Sequence, residues 1–399
     1  MKGAWASIRL KHTARNVVEP ATSADANKPF IGLDAISSWT GAIEVRDEGS
    51  NGEVGNRFQR GDVLFGKLRP YLAKVAAPHF GGHCSGEALV IRPRRSLHPS
   101  FLFYLMANPD FINAVDASTY GAKMPRASWH FIGNMTFALP NLPTQRRIAD
   151  FLDRETARID LLIEKKQRLV EMFAPRFEAL IHEARKEGDW RRFGFCAQTT
   201  PRPIPHKRDE TYVPLGLYNR GRGFFQKPET AYDDLGDSSF FFVKEGDLVF
   251  SGQFAWEGAI GLVSNREHGC VVSHRYPVYT GIKGVLSDYL FAYFRSHHGR
   301  FLMDNCSRGA AGRNRPMNTS ILEKEKIPVP NIGLQQQIAK VIEFERLLKV
   351  KIAPSIDRLR EYRAALITAA VTGQIDVDSH TRSGATDRRL DAIQEELGA

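Results

Sequence analysis

Three short words occur twice in this chain, in the same order. Gly61-Asp62-Val63-Leu64-Phe65 returns as Gly246-Asp247-Leu248-Val249-Phe250, and Pro140-Asn141-Leu142-Pro143-Thr144-Gln145 returns as Pro330-Asn331-Ile332-Gly333-Leu334-Gln335. Ala179-Leu180-Ile181 returns as Ala365-Leu366-Ile367. The offsets, 185, 190 and 186 residues in a chain of 399, are far too long for a solenoid period. They describe two copies of one unit, each a globular part followed by a helical part. Whatever the first copy folds into, the second must fold into as well.

Within each copy the first part reads as mixed. The runs Asp62–Phe65, Ala88–Ile91, Phe240–Val243, Leu248–Phe250 and Cys270–Ser273 are aromatic or β-branched and are broken by Gly, Pro and Asn, as in small sheets. Phe101–Ala107 and Tyr289–Arg295 carry apolar side chains at helical spacing, which predicts one short packed helix in each copy. The fold class expected is therefore α+β: two duplicated mixed domains separated by long helices.

Those helices are legible from period alone. Ile148, Leu152, Ile159 and Ile163 follow three-and-four spacing in the first, and Ile338, Ile342, Leu359 and Leu366 do so in the second, with charged residues on the other faces. About 36 helical residues span roughly 54 Å, more than a small domain needs for its own core. These segments read as spacers that pair with each other and offer side surfaces to partner helices. Pro175 and Pro354 fall inside the patterns at non-equivalent places, and each is expected to kink or interrupt its helix. Boundaries follow: domains at 1–143 and 188–332, spacers at 144–187 and 333–376, and a flexible tail, 377–399, ending in a short helix.

The net charge of +10 matters for where it sits. Residues 1–145 and 191–335 each carry five more basic than acidic side chains, while 146–190 are balanced. Two positive compact domains suit a polyanion such as double-stranded DNA. The four cysteines stand far apart with no CxxC pair, so neither a disulfide framework nor a thiolate zinc site is expected, and a reducing cytoplasm fits. No apolar run approaches the roughly 20 residues of a membrane span, and Met1–Arg15 has no apolar signal core.

Enzymatic motifs fail one by one. Gly61 to Lys67 satisfies G-x-x-x-x-G-K, but Leu68 stands where a magnesium-binding hydroxyl is required and Asp62 repels phosphate. His79, His83 and Cys84 lack a second ligand cluster, and the acids around Glu323 and Glu325 form no nuclease constellation. No catalytic residue, metal site or bound cofactor is expected on this chain. Basic and aromatic side chains in Gly-rich segments give the stronger signal: Lys67, Arg69, Tyr71, Lys123 and Arg126 in the first copy, and Ser251, Gln253, Arg308, Arg313, Asn314 and Arg315 in the second. Arginine forks onto guanine or holds phosphate, and Gln or Asn reads adenine, so these are the candidate DNA-binding residues.

The residues resemble the specificity subunit of type I restriction-modification systems, over about residues 1–376. The likeness lies in Gly61 through Leu72, in Gln145 through Asp160 with its Ile148-Ala149-Asp150-Phe151-Leu152-Asp153-Arg154-Glu155-Thr156, and in Tyr362 through Asp376. The resemblance implies two target-recognition domains, each reading half of a bipartite asymmetric site, held apart by antiparallel spacer helices with pseudo-twofold symmetry. It also implies two modification subunits that methylate adenine with S-adenosylmethionine and, where the system restricts, two restriction subunits using ATP and magnesium. The distal string Gln335–Arg346 departs from the pattern by lacking the Asp-Arg-Glu-Thr run. Two other classes fit less well. An autonomous DNA-modifying enzyme needs a cofactor loop that is absent, and a structural coiled-coil adaptor leaves two positive domains unexplained.

Overall fold

The computed structural model describes residues 5–25, 27–44, 55–119, 124–205, 210–307 and 315–395. Its contacts divide the chain into two compact units, Met1–Lys166 with Ile352–Ala399, and Gln167–Lys351. Each unit takes one globular part together with a portion of both spacers.

In the first unit an antiparallel sheet has the strand order Ala14–Val17, Ala88–Pro93, Val63–Gly66, Val75–Ala76. The run Val63-Leu64-Phe65 is buried throughout because alternate residues serve two cores. Val63 and Phe65 join Phe101, Phe111 and Ile112 of the helices Pro99–Ala107 and Pro109–Ala117. Leu64 joins Ile31, Phe58 and Cys84 of a three-stranded sheet formed by Phe30–Ile31, Gly82–Cys84 and Asn56–Phe58.

The second unit repeats this. Its sheet runs Ala197–Thr199, Val278–Gly281, Leu248–Phe250, Ile260–Leu262, with Leu248 and Phe250 in one core and Val249 in another. The turn before the central strand is the same in both: Gly61 at φ +91° and Gly246 at φ +84° take a left-handed conformation that a side chain disfavours. The next residue, Asp62 or Asp247, turns its buried carboxylate back to accept from the amide of Gln59 or Lys244. The short packed helix expected in each copy is present, as Pro99–Ala107 and Ser287–Arg295, and a second helix follows it at once, parted from it at Asn108 and at Ser296. These residues cap the second helix by accepting from the amides of Asp110 and Gly299.

The first spacer is a helix Leu142–Glu171 and a second, Phe173–Glu187, parted only at Met172. Pro175 explains the break: it has no N–H for the Glu171 carbonyl and its ring crowds that oxygen. The distal spacer is one helix of 40 residues, Ile332–Val371, so the interruption expected at Pro354 is not found. Pro354 and Val350 are both exposed, so water reaches the Val350 carbonyl that the proline orphans. In the first unit Asp160 of the first spacer meets Arg363 of the distal spacer at 2.9 Å, and Arg147 faces Asp378 of the helix Val377–Arg382 at 3.5 Å. In the second unit Phe173 lies 5.3 Å from Phe344.

A buried amide clamps each spacer to its domain. Gln145 accepts from the His98 amide and donates to the Ser96 and Pro140 carbonyls. Gln335 accepts from Leu286 and donates to Gly284 and Pro330. The flexible tail is corrected: Val377–Arg382 and Ala385–Glu395 are helices, and Val377, Leu390 and Ile393 belong to the first unit's core. Asp376 caps the first of these helices by accepting from the Ser379 amide, and Thr386 meets the Tyr362 hydroxyl.

Candidate nucleic-acid interface

The strand Val63–Gly66 delivers Lys67 to Tyr71 to the end of the first unit's sheet. Arg69 sits at φ +51°, held there by its amide donating to the Pro125 carbonyl at 2.9 Å. The Ala127 amide donates to the Lys67 carbonyl at 2.8 Å, so the 67–71 and 124–127 segments lie side by side. Arg69 is exposed and Tyr71 is 48% exposed, which frees both for a ligand. Arg126 instead forks onto Glu87 through two bonds of 3.1 Å. That guanidinium holds the Glu87 carboxyl below its ordinary value, with burial opposing. Arg126 thus ties its segment to the turn before the strand Ala88–Pro93 rather than being presented alone.

The second unit builds the same pair of segments. The Met317 amide donates to the Gly252 carbonyl at 2.7 Å, the counterpart of the Ala127–Lys67 bond. Gln253 is exposed. Ser251 is corrected as a contact residue: it is buried, and its hydroxyl accepts from the Phe254 amide to close the turn. Arg315 pairs with Asp304 at 2.8 Å and its guanidinium lies 5.2 Å from the Trp256 ring centroid. Lys123, Arg308, Arg313 and Asn314 lie outside the described residues.

Sequence reasoning missed a further group in the second unit. Asn219, Arg220, Arg222, Trp256, Glu257 and Arg300 line a cavity of about 610 Å³. The string Arg220-Gly221-Arg222-Gly223 was a signal, since glycine between arginines frees the backbone to present both, and Gly221 and Gly223 do adopt positive φ. Arg300 comes from the helix His297–Asn305, eighty residues on, and carried no signal.

The spacer positions are core. Ile148, Leu152, Ile159, Leu359 and Leu366 are buried in the first unit with Ile163 packed against them, and Ile338 and Ile342 are buried in the second. None of the buried seven is available to a partner. The exposed apolar residues are others: Leu169, Met172, Phe344, Leu347 and Val350 in the second unit. The last three recur every third residue and share one helix face.

The remaining motifs resolve into structure. Asp62 is held by Arg92 through two bonds of 2.7 Å, and the following residues are strand, not a phosphate cradle. His83 is buried beside Phe30, and burial pushes the Cys84 thiol up to about 12. Among the described residues no three His, Cys, Asp or Glu side chains converge as a metal set, and no helix is long and apolar enough to cross a membrane. Glu323 accepts from the Tyr279 hydroxyl at 3.0 Å.

Two copies of a mixed domain, each with a paired loop at its sheet end and each clamped to amphipathic helices, define a duplicated recognition-domain architecture. The chain belongs to the type I restriction modification DNA specificity domain family, whose model matches residues 23–171 and 207–350. It is similar to the type I restriction enzyme EcoDI specificity subunit of Escherichia coli, at 27% identity over 167 residues, 41% of this chain and 37% of that protein. The match thus spans little more than a third of that relative's length. A solved structure described as the basis of complex assembly and conformational transition of the type I R-M system aligns with a TM-score of 0.58 and 18% identity. It covers 93% of this chain and 98% of the other, a likeness of fold.

Proposed function

We propose that this chain is the non-catalytic DNA-reading subunit of a type I restriction-modification complex. Recognition domains at 1–143 and 188–332 each read one half of a bipartite asymmetric site on double-stranded DNA. Spacers at 144–187 and 333–376 fix the distance between the halves and dock two modification subunits, which methylate adenine with S-adenosylmethionine. Where restriction subunits join, they bring ATP and magnesium chemistry; this chain holds no cofactor and works in the cytoplasm.

One observation carries this reading: the same paired loop, closed by the same backbone bond, ends the sheet of both units and bears Lys67, Arg69 and Tyr71 in one and Gln253 and Arg315 in the other. Arginine, lysine and glutamine at two equivalent places suit groove contacts to two half-sites. Methylated adenines are mapped in cells carrying this chain with its modification partner, and again after deletion of this chain alone. Loss of one bipartite motif is expected. Unchanged methylation with the partner demonstrably expressed refutes the reading.

A further inference from the structure

The cavity bounded by Arg220, Arg222 and Arg300 holds three guanidinium groups against one carboxylate, Glu257. That carboxylate is already engaged, accepting from the Asn219 side-chain amide. Arg222 is oriented by two contacts: its Nε donates to the Asn219 carbonyl at 3.0 Å and its guanidinium lies 5.1 Å from the Tyr218 ring centroid. Arg220 is fixed through its backbone, at φ +61° with its amide on the Glu257 carbonyl at 3.0 Å, while the Gly221 amide donates to Gly258 at 2.7 Å. Neither Arg220 nor Arg300 has an ion pair among the described residues. Trp256, the end of the 251–256 loop, supplies one wall.

Donors dominate, and the acceptors already have partners, Glu257 in the Asn219 side-chain amide and the Asn219 carbonyl in Arg222. A base edge offers donors as well as acceptors, whereas a phosphodiester offers acceptors and charge only. We propose that this cavity clamps one backbone phosphodiester of the DNA beside the half-site read by the second unit. The clamp rests on the DNA-reading function above and deepens it. Among the described residues its arginine turn belongs to the second unit. In the first unit the equivalent turn places Trp39, with φ +67° and its amide on the Ala73 carbonyl, and the Trp39 carbonyl accepts from Arg363 of the distal spacer. The same turn ties the domain to its spacer in one copy and faces a ligand in the other.

The test uses the full chain, two duplexes of unrelated sequence, and titration across salt. Arg300→Ala and Arg220→Ala are each expected to weaken both duplexes by the same factor, about threefold to tenfold, and to lower the slope of log affinity against log salt by about 0.9, one phosphate's share. Arg300→Lys keeps the charge and loses the fork, so it falls between. Arg266→Ala, an exposed arginine of the same unit outside the cavity, leaves affinity and slope unchanged. Thermal unfolding within a degree of the parent establishes that each variant is folded. An effect on one duplex only makes the cavity a base reader and overturns the proposal. So does unchanged affinity and slope in both alanine variants. Inorganic phosphate at matched ionic strength separates the sources of the anion: if it stabilises the parent but not Arg300→Ala as much as duplex does, the site takes a free anion and not DNA. If the parent binds neither duplex, the DNA-reading function itself fails, a result distinct from all of these.

Discussion

At the scale of single residues, duplication shows what each copy cannot do without. Gln145 and Gln335 are fully buried and make three hydrogen bonds apiece to backbone groups of equivalent residues. Each satisfies one amide and two carbonyls, of which the Pro140 or Pro330 carbonyl is in a buried bond, and a buried backbone group left unpaired costs about 1–3 kcal/mol. Gln145→Leu is expected to destabilise the first unit by at least that amount, seen as a lower denaturant midpoint, and Gln335→Leu to do the same to the second. A change below about 0.5 kcal/mol in both would mean that the amide merely fills space. The same comparison shows where the copies diverge. Asp62 is held by Arg92 from the neighbouring strand, whereas Asp247 is held by Arg202 and Thr280. The carboxylate stayed and its partners were replaced.

At the scale of elements, the two spacers solve one problem differently. Pro175 parts the first at Met172, while Pro354 is absorbed into a continuous helix. Restoring the missing donor with Pro175→Ala is expected to slow amide exchange at residues 172–176 about tenfold. That equals roughly 1.4 kcal/mol of the ~3 kcal/mol that an interior proline costs. Exchange that stays fast would place the cause of the break elsewhere. Much of this level was legible before any coordinates. The Gly-Asp turn, the central strands and the apolar face of each spacer follow from local rules that both copies obey. That the spacers pair was legible, but which core each stretch serves was not, because a period names the face of a helix and not what covers it. Nothing in Ile338 or Leu359 says that one serves the second core and the other the first. The tail was misread because its polar string hid Val377, Leu390 and Ile393, and polar residues also make caps. The candidate site was half legible. Loop residues adjacent in sequence, Lys67 to Tyr71, could be named, whereas Arg220 and Arg300 meet only through the fold. Ser251 has a suitable donor for DNA, but the residue is buried, with its hydroxyl oxygen accepting from the Phe254 amide in a turn.

At the scale of the whole molecule, charge and apolar surface divide the labour. The positive surplus sits on the two domains and is available to DNA. Among the exposed apolar side chains of the second unit, Leu169, Phe344, Leu347 and Val350 sit on its spacer helices, while Trp190, Phe195, Phe225 and Phe301 lie on other elements. Phe344 and Leu347 are both at least half exposed and share a face, a patch of the kind that seeks cover. Replacing both with glutamate is expected to leave thermal unfolding within a degree and to turn concentration-dependent association of the isolated chain into a single sedimenting species. Persistent association of that variant would clear the patch. This bare face has a consequence for how the protein is made. A chain synthesised in excess of whatever covers it would cling to its own copies, so its supply has to be matched to that of its partner, in amount and in time.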